Sequence, residues 1–597
     1  MSNLERTLKR ALRFLRSRGV IETGRKTVRH FSRQIADRRF AARMRLPEEE
    51  LARQREERFS RPLRFSVIVP LYNTPPQVLK EMVDSVAAQT YADWELCLAD
   101  GSDESHAEVG EFCRARAAED PRIRYQKLEG NGGISENSNA CLRMAEGEYC
   151  ALFDHDDLLT PDALYEMRRA IDRTGADFLY SDEMIFRSPR PSRVIGIRLK
   201  PGFSPDSLLT NNYICHLTVF SRELLERAGG FRKRFDGSQD HDLILRLTGR
   251  ARGIAHISRV LYLWRSLPSS VASDIYSKAY AIDAGRSAVE AFLREEKGLE
   301  DAAVESTRVF PTMYRVRWPI AGEPSVRVIL DARRERGGTA EKLRALKESA
   351  GWDRCAWTVI GDAPAEGAEG AEVLTPGPGE SRRALWSRAA AESAEEYLLF
   401  ADGIPEAEED GWLRELLGWA QQSHVGAVAP KLLFRRRPEV RQAGLILGMG
   451  PMGLAGRLYF RGDAESEDAY FGQLAVAEDV SAVTDMLLVS AEKLRQAGGF
   501  CGEYADALFD TDLCLRLLEK GYYNVCTPHA LLRMGSPADV RFDAGREYAS
   551  YPADAEVFRR RNAGALKRGD PYYNPNLSLK YENWRVSVPE KPAKQAK

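Results

Sequence analysis

The chain has 597 residues, 43% of them hydrophobic and 29% charged, with a net charge of −1. At about 150 residues per domain, one compact core is excluded, and the composition excludes a fibrous or disordered chain. No run of about 18 apolar residues occurs, so no membrane-spanning helix is expected.

Residues 1–46 hold 14 Lys/Arg against 3 Asp/Glu, leaving the rest of the chain acidic. Within this arm Leu4, Leu8, Leu12 and Leu15 form one apolar stripe at helical spacing. Arg6, Lys9, Arg10, Arg13 and Arg16 cover much of the remaining surface. A basic amphipathic helix of this kind suits an anionic membrane surface, each basic residue adding about 1 kcal/mol. Docking on the protein's own acidic body is the alternative. Nucleic acid ranks last, because the acidic bulk repels phosphate. The N-terminus lacks the apolar stretch of a secretory leader. The nine cysteines include no CxxC pair and read as reduced thiols. The expected location is cytoplasmic, with peripheral contact at the inner membrane face.

From residue 65 strands and helices alternate. Phe65–Pro70 reads as a strand buried on both faces. Asn73-Thr74-Pro75-Pro76 breaks it before a helix at 78–88, and Trp94–Ala99 is the next strand, ending at Asp100. Tyr149–Phe153 is another, ending at Asp154-His155-Asp156-Asp157. Such alternation gives a mostly parallel α/β sheet, whose ligands gather outside the carboxyl ends of its strands. Asn73, Asp100, Asp154 and Asp156 all stand at such ends. No GxGxxG opens the first helix, which disfavours dinucleotide binding.

The pattern restarts near residue 325. Ala228-Gly229-Gly230-Phe231 is matched by Ala497-Gly498-Gly499-Phe500, and Asp240-His241-Asp242-Leu243 by Asp510-Thr511-Asp512-Leu513, at offsets of 269 and 270. A constant offset points to duplication of one domain. The expected organisation is a basic helical arm at 1–60, a catalytic domain at 61–320, a degenerate copy at 321–580 and a polar tail at 581–597.

Asp154 and Asp156, one residue apart at a strand end, offer hard oxygen ligands to a divalent cation. Capping of the helix that follows is the plainer reading of such an acidic turn. Asp240 suits a general base or a first-turn helix carboxylate. Asp240 and Asp242 point to different helix faces and do not share a role.

The segments FSVIVPLYNTP, WELCLADGSD, NGGISENSNA, GEYCALFDHDDLL, YSDE, NNYICHL, GGF and FDGSQDHDLILR, in this order, strongly resemble inverting glycosyltransferases of family 2, with a GT-A fold. A weaker version runs from about 325 to 575. The resemblance implies two tandem GT-A α/β domains and transfer of a sugar from a nucleotide diphosphate sugar to a growing, lipid-linked surface glycan. It assigns nucleotide-sugar contacts to Pro70, Tyr72, Asn73, Asp100, Asn139 and Asp154. It gives Mg or Mn binding to Asp154 and Asp156, and the base role to Asp240. Leu263 stands where the family usually offers a metal-site histidine, and His216 and His256 read as structural. The second half has Phe400-Ala401-Asp402-Gly403-Ile404 in place of the acidic turn, leaving one carboxylate, and so reads as non-catalytic. A silent glycan-binding scaffold and an enzyme active in both halves are the alternatives.

Overall fold

The computed structural model describes residues 33–266, 279–307, 310–335, 337–361, 370–460, 474–535, 547–580 and 584–587. The leucine stripe of the basic arm lies outside the described residues. Helix α1 (33–44) is the part of that arm described, and α2 (Glu48–Glu56) follows it.

The first domain is a nine-stranded sheet. Its elements run β1 (Phe65–Leu71), α3 (Pro76–Ala87), β2 (Trp94–Asp100), α4 (Ala107–Glu119), β3 (Ile123–Lys127), α5 (Ile134–Met144), β4 (Tyr149–Leu152) and β5 (Leu158–Leu159). They continue with α6 (Ala163–Thr174), β6 (Phe178–Arg187), β7 (Val194–Arg198), α7 (Pro205–Thr210), β8 (Thr218–Ser221), α8 (Arg222–Ala228), α9 (Gln239–Arg250) and β9 (Ile254–Ser266). The strand order is β3-β2-β1-β4-β8-β6-β9-β5, with β7 on β6. β3, β2, β1 and β4 are parallel, and β8 pairs antiparallel with both β4 and β6.

Every residue of β1 and β2 is buried, as their unbroken apolar runs require of strands covered on both faces. Pro70 lies beyond the β1–β4 ladder, which ends at Ile68, so its missing N–H does not interrupt that ladder. Two clusters cover the sheet: one around Leu79, Met82, Val83 and Leu164, the other around Cys141, Leu208, Leu243 and Phe292.

The second domain repeats the plan. Its main path runs Ala371–Leu374, Cys355–Ile360, Val326–Asp331, Tyr397–Ala401, Met486–Ser490, Val425–Phe434, Tyr523–Met534 and Glu406–Ala407. This is the β3-β2-β1-β4-β8-β6-β9-β5 order again, in agreement with the duplication expected from the sequence.

A separate apolar cluster joins the halves. Phe40 of α1, Met184 and Ile197 of the first domain, and Leu433 and Ile446 of the second meet Tyr573, Leu577 and Trp584 from the C-terminal segment. Each such buried side chain contributes about 1.5–3 kcal/mol. The stretch expected to be a polar tail therefore includes a buried tryptophan near its start.

Candidate functional site

Asp100 ends β2 with its carboxylate fully buried. It accepts hydrogen bonds from Ser102 N (2.8 Å), the Tyr125 hydroxyl (2.8 Å) and Lys127 Nζ (3.2 Å). Burial pushes its pKa up, but the bonds from Ser102, Tyr125 and Lys127 outweigh this and hold it below the usual carboxylate range. At the neighbouring end of β1, Asn73 adopts φ 49°, a left-handed conformation that asparagine tolerates. Its amide is tied to Asp103 in both directions, at 2.8 and 3.1 Å, and its backbone N–H donates to Ser102 Oγ. Tyr72 beside it is 45% exposed.

The acidic turn follows β4. Asp154 is half-exposed, and its Oδ2 lies 3.4 Å from His216 Nε2. Pairing of Leu152 with Thr218 across the antiparallel β4–β8 ladder sets the segment preceding β8 beside the turn following β4. His216 stacks on Tyr262 with ring centroids 4.5 Å apart, and its Nδ1 faces Glu183 Oε2 at 3.2 Å. Glu183 is fully buried and ion-paired with Lys200 (3.2 Å) and Arg198 (3.4 Å). Desolvation at the turn would raise the Asp154 carboxyl, and the hydrogen bond and charge of His216 together with the charge of His155 hold it below its ordinary value. Burial also disfavours the His216 imidazolium, yet Cys215, Asp154 and Glu183 together push its pKa well above the ordinary value.

Asp156 is partly buried, and desolvation and the nearby Asp154 charge raise its pKa. Asp157 is buried, with both oxygens engaged. Tyr262 donates to Oδ2 and the Arg265 backbone to Oδ1, each at 2.6 Å. Asp154, Asp157 and His216 present ligand atoms within 4.8 Å of one another. The carboxylate oxygens fit a hard divalent cation such as Mn or Mg, whereas the His216 ring offers a nitrogen only once it gives up its proton. Asp157, already bonded twice, fits the outer support of such a site better than its inner ring.

Asp240 lies in the first turn of α9, and its Oδ2 accepts from Asn212 Nδ2 at 2.8 Å. Cys215 Sγ approaches the same oxygen at 3.7 Å and lies 3.3 Å from His216 Nε2. The candidate base and the acidic turn are thus joined through Cys215 and His216. Asp242 belongs elsewhere: with Arg246 it forms a buried pair (2.8 Å) that ties α9 to the Ala228–Gly230 backbone.

Asn139 does not join this group. Its side-chain amide exchanges two 2.9 Å hydrogen bonds with the Phe231 backbone and holds the Gly-Gly-Phe turn. His256 bonds Asp182 at 2.9 Å and stacks on Tyr180, as a structural histidine would. His216, read from the sequence as structural as well, instead lies against Asp154. An imidazole 62 residues along the chain from that carboxylate gives no local signal.

The second domain keeps the scaffold and changes the site. Ile329 pairs with Phe400 as Ile68 pairs with Leu152. Phe400 thus corresponds to Leu152, not to Phe153 as the residue pattern suggests, and Asp402 stands at the position of Asp154. Asp402 is ion-paired with Arg382. Ile404 replaces Asp156. Ladder partners further place Gly361 at Asp100 and Asp485 at His216. Asp485 is buried between Arg441 (2.9 Å) and Arg457 (2.5 Å). Asp510 remains at the base position, buried and bonded by Thr484 Oγ1 at 2.6 Å, where Cys215 stands in the first domain.

Residues 66–229 match the model of the family described as Glycosyl transferase family 2. The uncharacterized protein y4gI of Sinorhizobium fredii is 35% identical over 546 residues, covering 88% of this chain and 59% of its own length. The O-antigen biosynthesis protein RfbC of Myxococcus xanthus is 29% identical over 544 residues, covering 88% of this chain and 41% of that relative. The chain therefore spans about half the length of these curated relatives. Among solved structures, S. aureus TarS 1-349 in complex with UDP-GlcNAc aligns with a TM-score of 0.33 and 21% identity, over 39% of this chain and 67% of that one. The duplicated sheet and the family match agree with the tandem GT-A architecture expected from the residues.

Proposed function

With residues 66–229 forming a glycosyl transferase family 2 domain, we propose that this chain transfers a sugar from a nucleotide diphosphate sugar to a growing cell-surface glycan, carried on a lipid. The observation that carries the reading is the link from Asp240 Oδ2 through Cys215 and His216 to Asp154, which sets a candidate base beside a candidate cation site.

Asp100, with Pro70, Tyr72 and Asn73 at the adjoining strand end, lines the nucleotide subsite. Asp154 and Asp156 hold the cation, with the His216 imidazole facing Asp154. A bound divalent cation would neutralise the charge of the departing diphosphate. Asp240 accepts the proton of the acceptor hydroxyl as that oxygen attacks the anomeric carbon. The carbon–oxygen bond to the diphosphate breaks in the same displacement, so the anomeric centre inverts. Asn212 holds the Asp240 carboxylate during this step through its 2.8 Å hydrogen bond. Asn139 acts from behind, keeping the Gly-Gly-Phe turn in place. The second domain is non-catalytic, since its counterpart of Asp154 is neutralised by Arg382. The basic arm at 1–46 contacts anionic lipid, in keeping with its charge.

The test is nucleotide release from UDP-, GDP-, dTDP- and CDP-sugars, with Mn or Mg and then with chelator, for wild type and Asp240→Asn. Metal-dependent release from one donor, lost in the variant, supports the reading. Release that ignores both the chelator and the substitution would refute it.

A further inference from the structure

Asp182 and Glu183 are consecutive residues of β6, both fully buried. The ladder with β9 shifts register on either side of Asp182. Glu183 itself pairs with Arg198 of β7 and Tyr262 of β9, so the irregularity falls on Asp182. Side chains hold Asp182 in place. Asp182 accepts from Lys200 N (2.8 Å) and bonds His256 Nε2 (2.9 Å). Its remaining partner comes from the far end of the chain: Asn574 Nδ2 donates to both Asp182 oxygens, at 3.0 and 2.9 Å, and reaches Lys200 O at 3.0 Å.

Lys200 is the second half of the connection. Its ammonium pairs with Glu183 at 3.2 Å and donates to the carbonyls of Ile214 and His216. One buried amide thus grips the side chain preceding Glu183 and the backbone of the lysine that neutralises it. Asn574 is itself held: its Oδ1 accepts from Asn576 N (2.9 Å), and Leu577 anchors the segment in the cluster between the domains. Gly202 N donates to Pro571 O nearby, where a Cβ on Gly202 would meet that oxygen at 2.3 Å, so the segment lies directly on the first domain.

We propose that Asn574 is a positioning residue for the first domain's site: the C-terminal segment, crossing back from the second domain, fixes Asp182 and Lys200 and thereby the Glu183–His216 pair facing Asp154. This rests on the reading of the Asp154 turn as the transfer site. It gives the degenerate half a task, since that half delivers the segment to the first domain's site. Outer partners of this kind change metal affinity by about 10–100-fold when removed.

The experiment follows the His216 ring signal by NMR in metal-free, full-length protein carrying 13C-labelled histidine, assigned by its loss in His216→Gln. Leu579→Ala serves as control, because it trims an exposed side chain of the same segment and has no bond to Asn574 or Asp182. Asn574→Ala should move the His216 signal and raise the Mn Kd about 10-fold, while Leu579→Ala leaves the signal in place. Should Asn574→Ala not fold, Asp182→Asn keeps the side-chain volume, removes the charge Asn574 holds, and should move the signal in its stead. An unmoved signal, or an equal shift in the control, overturns the proposal. Mn added to wild type separately broadens the His216 signal if the cation reading holds. A wild-type signal indifferent to Mn overturns that reading while the metal-free shift still decides the role of Asn574.

Discussion

Arg382 is ion-paired with Asp402, the residue that holds in the second sheet the position of Asp154 in the first. Both side chains are only 12% exposed. The guanidinium also donates to Asp506 O and lies over the Phe509 ring. A protein cation, not a metal, balances this carboxylate.

Removing one partner of such a pair strands the other in a poorly solvated place. Arg382→Leu should therefore destabilise the protein by about 3–5 kcal/mol, read by urea unfolding. The double substitution Arg382→Leu with Asp402→Asn should recover part of that loss. Turnover by the folded fraction should be unchanged in both, and a turnover loss in the stable double variant would make the second site functional.

In the first domain the cation reading predicts a different response. Asp154→Asn and His216→Ala should each weaken Mn binding by at least about 10-fold, measured by EPR titration. Leu263→Ala should leave it unchanged, because β9 carries a hydrocarbon there. Equal affinity in wild type and His216→Ala would return His216 to a structural role.

Much of this arrangement was legible in the chain. Apolar runs at Phe65, Trp94 and Tyr149 mark strands because both faces of the sheet are covered, and Asp100, Asp154 and Asp240 follow from where such strands and helices end. The repeated Ala-Gly-Gly-Phe and Asp-x-Asp landmarks exposed the duplication because each performs the same local task twice: Arg246 pairs with Asp242, and Arg516 with Asp512 at 2.8 Å. His216 was hidden, since its approach to Asp154 depends on the Leu152–Thr218 pairing and the stack on Tyr262, neither local in sequence. Asn574 was hidden for the same reason at larger scale, 392 residues from Asp182. The offset of Asp402 against Asp154 could not be read either, because Phe153 and Phe400 invite a register that the ladders reject.

Asp240→Asn is the sharpest test of chemistry. The amide keeps the shape beside Asn212 and Cys215 but accepts no proton, so kcat should fall by about 10²–10⁴-fold. The donor KM should change little, since Asp240 is assigned to the acceptor hydroxyl. A loss confined to KM would make Asp240 a binding residue instead.

The contact between the domains should weaken as pH rises from about 4.5 to 8. Burial pushes the Glu478 carboxyl up to about 8, against a lowering by a hydrogen bond to Ser207. Asp479, the next residue, accepts from the Asp206 and Ser207 backbone across the junction, and burial followed by the Asp206 charge raises it well above the usual carboxylate range. His424 bonds Asp206 at 2.9 Å on the other side. In the unfolded chain Glu478 ionises near 4.5, its ordinary value. The folded state thus binds the extra proton between about 4.5 and 8, and its stability is complete below that window and declines as pH rises through it. The decline is at most about 1.4 kcal/mol per pH unit from this one group. Glu478→Gln keeps the neutral shape at every pH and should flatten the slope, giving a variant that matches wild type near pH 5 and melts higher than it near pH 8. Parallel Tm-versus-pH curves for the two proteins would show that Glu478 is not held protonated at the junction.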